Sequence, residues 1–131
     1  MKFSVEQSKP NVVSEVAMLL LNGVTAAHIH HWNTIGVGSY AEHQAIGDFY
    51  ERLEDLADSL IEGCLVKSKI IPGKEALFLG ENSLELVQHI YENMAVFRED
   101  VSFPQASEVQ NVVDEIQMLC RHTLFKLYRL K

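Results

Sequence analysis

Residues 39–67 read SYAEHQAIGDFYERLEDLADSLIEGCLVK, and the periodicity of this stretch decides the fold. Ile46, Phe49, Leu53, Leu56 and Leu60 recur at steps of three and four, the spacing of one helix face rather than the alternation of a strand. The opening Ser39-Tyr40-Ala41-Glu42 has the form of a capping box. At ~100° per residue, His43, Gly47, Glu51, Glu54, Asp58 and Glu62 share the opposite side. The segment is predicted to be a helix with an apolar inner face and an outer face dense in carboxylates.

The same period extends in both directions. From Pro10 to Asn33, Val13, Ala17, Leu20, Val24, Ala27 and His31 form one stripe, with Met18, Leu21, Thr25 and Trp32 beside it. Apolar surface this wide implies cover from two sides, which suggests a partner subunit. Downstream, Asn82 with Glu85 signals a helix start, followed by Val87, Ile90, Met94, Phe97 and Val101. Ser102-Phe103-Pro104-Gln105 then opens a last helix carrying Val109, Val112, Ile116, Leu119, Thr123, Leu127 and Leu130. Four amphipathic helices predict an all-α four-helix bundle. The short link around Gly36 and Gly38 makes the first two helices antiparallel neighbours. Residues 68–81 are long enough to cross the bundle, which is a ferritin-like connection.

The chain of 131 residues is the size of one domain, and 47% hydrophobic with 22% charged residues is an ordinary globular balance. A formal net charge of −7 speaks against nucleic-acid binding, which needs a basic stripe. The longest unbroken apolar run, Val16 to Leu21, is far short of a membrane span, and no cationic leader opens the chain. Cys64 and Cys120 form no metal-type cluster and suggest reduced, buried thiols. A cytoplasmic protein is expected.

No nucleophile elbow, phosphate-binding loop or dinucleotide fingerprint is present. Chemistry-bearing residues gather instead at His28, His30, His31 and His43 and along the acidic face of residues 48–62. That face alone reads as a solvated helix side. Asp58 and Glu62, four apart, could also grip one cation, and oxygen with imidazole donors suits iron, manganese or zinc. His43 cannot share that ion within one chain, because fifteen residues of helix span roughly 22 Å. A shared site requires two subunits with these helices antiparallel about a two-fold axis, giving two equivalent sites per dimer.

The pattern His31-Trp32-Asn33, Gly36, His43, then Asp58 with Glu62 resembles the ferroxidase signature of the Dps mini-ferritins. The resemblance implies a ferritin-like fold and an intersubunit site that oxidises and stores iron, protecting against oxidative damage. It implies that His31 binds iron with Asp58 and Glu62 of the partner subunit, that His43 helps hold a second iron or a water, and that Trp32 packs beside the centre. Asn33 and Gly36 would end the first helix and set the turn.

Two departures stand out. The family's aspartate four residues after His43 is Gly47 here, and Asp48, kept as a metal candidate, is turned away by ~100°. Glycine at that position is either a tolerated loss or a demand for space. The expectation is one tightly held metal per site, with Gly47→Asp improving the second position. Residues 1–9 lack the lysine-rich tail with which some members hold DNA. A homo-oligomer is expected, a dimer at least, with the family's dodecamer left open. The alternative function is a non-catalytic helical interaction protein with a degenerate or structural metal site. His89 with Glu92 reads as solvated, His122 with Glu115 as structural or surface, and His28 and His30 as proton relays or structural residues.

Overall fold

The computed structural model describes residues 11–130, which form four helices with no strand among them. They are α1 (Val12–Asn33), α2 (Ser39–Cys64), α3 (Ser83–Phe97) and α4 (Ser107–Arg129). The lysine-poor N-terminal residues 1–9 lie outside the described residues. α1 packs on α2 and α3, and α4 packs on the same two, so α1 and α4 occupy opposite corners of a square.

The stripe in α2 is buried as expected: Ile46, Phe49, Leu53, Leu56 and Leu60 all face the core. In α1 the inner line also takes in Val12, Val16, Ala26 and His30, while Leu21 and Trp32 of the second stripe stay exposed. Among the described residues α1 is the one helix long and apolar enough to cross a membrane, and 56% of that window is buried inside the bundle. Packing against α2 and α3 gives that apolarity a use.

Several helix ends differ from the expected ones, and contacts with other parts of the chain account for the clearest of them. The capping box is not formed: Gly38, in the left-handed region at φ 83°, precedes the first turn of α2 without a side-chain cap. Glu42 instead accepts a hydrogen bond from Ser83 Oγ at 2.7 Å, tying the start of α2 to the start of α3. Further on, α3 stops at Phe97 rather than Val101. Arg98 turns toward α4, donating to Gln110 and Gln117 and pairing with Asp114 at 2.8 Å. Val101 is left exposed, and Phe103 fills the core in its place. α4 accordingly begins at Ser107, after the turn held by the Gln105 and Gln110 amides. The cap at Asn82 is as expected, its Oδ1 accepting from the Glu85 N–H.

The segment between α2 and α3 lies along α1. Ile71 N–H donates to Ser14 Oγ near one end of that helix, and the Leu79 carbonyl accepts from His30 Nε2 at 2.7 Å near the other. Sixteen helical residues rise about 24 Å, and eight extended steps reach about 26 Å. Residues 71–79 are therefore a nearly taut strap. It brings the chain back to the end where α2 started, so α2 and α3 run parallel.

Both cysteines are free, Cys120 buried and Cys64 half-buried. Burial raises the thiol of each, that of Cys120 to about 12. The thiolate is the nucleophile, so Cys120 should take up no iodoacetamide at pH 8 in the folded protein and label fully in denaturant, as read by mass spectrometry.

Candidate functional site: a reciprocal histidine pair

His31 lies in the last turn of α1 and His43 in the second turn of α2, joined by a five-residue link. The link reverses direction through Gly36 and Gly38, whose positive φ values of 96° and 83° side-chain-bearing residues rarely adopt. This reversal brings the two imidazoles together, stacked with centroids 3.6 Å apart. Each ring bonds the other residue's backbone. His31 Nδ1 lies 2.9 Å from the His43 carbonyl, and His43 Nδ1 lies 2.9 Å from the His31 carbonyl.

The tautomer follows from these partners. A carbonyl only accepts, so both Nδ1 atoms carry the proton. A neutral ring then has its lone pair on Nε2, the form in which histidine binds a metal or accepts a proton. The corner leaves both Nε2 atoms outside these backbone bonds.

Gly47 is part of the same construction. A Cβ built there would lie 3.0 Å from His31 Cε1 and 3.2 Å from Nδ1, closer than side-chain carbons normally approach. Glycine makes room for the imidazole. Of the two explanations that the sequence leaves open, the demand for space has this contact behind it. Asp48 is not turned to the pair: it is exposed on the side facing α4, with Lys126 Nζ 4.0 Å from its carboxylate.

Tyr50 was not anticipated. Its ring packs on His28 at 3.7 Å and meets His31 edge-on at 5.4 Å, so it braces the pair from below. Its place seven residues after His43, two turns along the same face, was the available signal. The two residues read as relays or structural make structural contacts: His30 holds the strap, His28 lies on Tyr50, and neither joins the stacked pair. His89 is not simply solvated either, because it is half-buried and stacked on Phe78 at 3.9 Å.

Asp58 and Glu62 are exposed on the outer side of α2, without a hydrogen bond or ion pair among the described residues. They stand about 22 and 28 Å along the helix from His43. Among the described residues no group of three or more metal-type side chains comes together in the single chain. α2 as a whole carries seven carboxylates against one arginine, a field that draws cations. Around the histidine pair the surface is apolar: Trp32 is 72% exposed, Ile35 86% and Tyr40 75%.

Residues 31–127 match a family described as a family of unknown function (DUF5856), a match that begins at the first histidine of the pair. No curated protein and no solved structure matches the chain.

Proposed function

The chain belongs to the DUF5856 family, and we propose that it is a Dps-like, ferritin-like cytoplasmic protein that takes up Fe(II) at sites completed between two subunits. The observation that carries this reading is the histidine pair, whose Nδ1–H···O=C bonds leave both Nε2 atoms as donors. In this reading His31 of one chain and the Asp58 and Glu62 carboxylates of the other hold one ion. His43 stands beside it. Supporting features are the unpaired carboxylates on α2, the exposed Trp32 corner and the strap that returns the chain between α2 and α3.

The iron is substrate and cargo, and when bound it supplies the redox chemistry. The protein's part is to present the imidazole Nε2 atoms, to supply carboxylate charge, and to cover the site with Trp32 and the partner surface. Oxidation of Fe(II), with peroxide as an acceptor, would limit oxidative damage. Zinc and manganese suit the same donors.

A second reading has its own observation. Each ring already completes a hydrogen bond that ties α1 to α2, and Gly47 exists to seat one of them. On this reading the pair is a corner staple of a non-catalytic interaction protein.

Protein purified without added iron separates the two. The first reading expects a dimer or larger in sedimentation, one Fe(II) bound per chain, and oxidation above a buffer blank. A stable monomer of about 15 kDa at micromolar concentration removes the shared site. A metal-free dimer that leaves Fe(II) untouched supports the staple.

A further inference from the structure

A second feature lies away from the histidine corner. The strap, pinned at Ser14 and at His30, passes over the groove between α1 and α3 and helps line a half-open cavity of about 320 Å³. That is the small end of the roughly 300–1,000 Å³ range of ligand pockets. We propose that this cavity binds a small hydrophobic ammonium compound, its cationic head between Glu15 and Glu75 and its apolar body against Phe78 and Ile90.

The charge of the occupant follows from the lining. Glu15 and Glu75 are carboxylates, and among the described residues no lysine or arginine lines the cavity to offset them. An anion would meet two like charges. The floor is shaped by Gly23, where a Cβ would come within 2.7 Å of Ile90 Cδ1, so α1 and α3 approach closely there. Toward that end stands the stacked Phe78–His89 pair, a flat wall suited to an apolar or aromatic body.

The polar interior is also defined. Asn93 Nδ2 donates to the His89 carbonyl at 2.8 Å and lies 3.2 Å from His89 Nδ1. Its amide hydrogens are thereby engaged, and its Oδ1 is left as an acceptor for an ammonium hydrogen. Burial holds the His89 imidazole below its ordinary value, against the opposing pull of Glu92, so it adds no positive charge at neutral pH. Glu75 and Phe78 are three extended residues apart on the strap, about 10 Å. A head at Glu75 and the aromatic wall at Phe78 and His89 are thus separated by the length of a short phenylalkyl chain.

Three probes of matched shape test this: 4-phenylbutylammonium, 4-phenylbutanol and 4-phenylbutanoate, titrated calorimetrically into the whole protein. The ammonium should bind about tenfold tighter than the alcohol, and the carboxylate should not bind. Glu15→Gln with Glu75→Gln, both exposed positions, should remove that tenfold preference and leave the alcohol's affinity unchanged. Ala76→Trp, on the exposed strap, should fill the cavity and abolish binding with little change in Tm. Equal binding of ammonium and alcohol, a preference that survives the double substitution, or no binding of any probe at millimolar concentration overturns the proposal.

Discussion

Mixing His31→Ala protein with Asp58→Ala/Glu62→Ala protein should restore Fe(II) binding that neither has alone, to about a quarter of the wild-type sites. The fraction follows from two-fold symmetry. Random exchange makes half of the dimers mixed. In a mixed dimer one site combines both lesions, while the other combines the intact His31 of one chain with the intact carboxylates of its partner. Each parent should bind nothing, because the ion loses either its imidazole or both oxygen donors. The lesions are safe for folding in two of the three positions, since Asp58 and Glu62 are exposed and without partners among the described residues. Calorimetric titration before and after subunit exchange reads the result. Recovery near zero, with exchange verified by mass spectrometry, would remove the intersubunit site and favour the staple reading.

How much of this was legible in the sequence depends on the kind of residue. The four helices and most of the core follow from apolar residues at steps of three and four, because burial is decided by period and the period is strong in Ile46–Leu60. Helix ends were less legible, since they turn on long-range partners. Ser39 and Glu42 fit a local box, yet Glu42 is engaged by Ser83, forty-one residues on. Val101 continued the stripe of α3, but Arg98 found partners on α4 and the helix ended first. In the site, His31 and His43 stood out by type and spacing. Their mutual backbone bonds could not, because those depend on how the Gly36–Gly38 turn closes. His89 failed for a related reason. Its polar neighbours on α3 suggested solvent, while the strap that covers it comes from elsewhere in the chain.

Gly47→Asp should destabilise the fold by roughly 2–4 kcal/mol and loosen the histidine pair, although it restores the carboxylate of the Dps pattern. Read from sequence alone, the substitution adds a ligand and should help a second ion bind. The structure gives the position a different occupant. Any Cβ at residue 47 lies 3.0 Å from His31 Cε1, and the ring has little freedom to retreat, being stacked on His43 and met edge-on by Tyr50. Overpacking of this kind costs about 1–3 kcal/mol. Placing a carboxylate at a buried position adds to that, and the better helix propensity of a non-glycine residue returns less than about 1 kcal/mol. Gly47→Ala separates the two effects, since it brings the Cβ without the charge. It should break even or lose about 1–2 kcal/mol, the clash set against the gain in propensity. Thermal unfolding of both variants gives the stability, and the imidazole NMR signals of His31 and His43 give the state of the pair. If Gly47→Asp unfolds as wild type does and oxidises Fe(II) faster, the ring has moved aside without cost, and the glycine marks a lost ligand rather than a seat for His31.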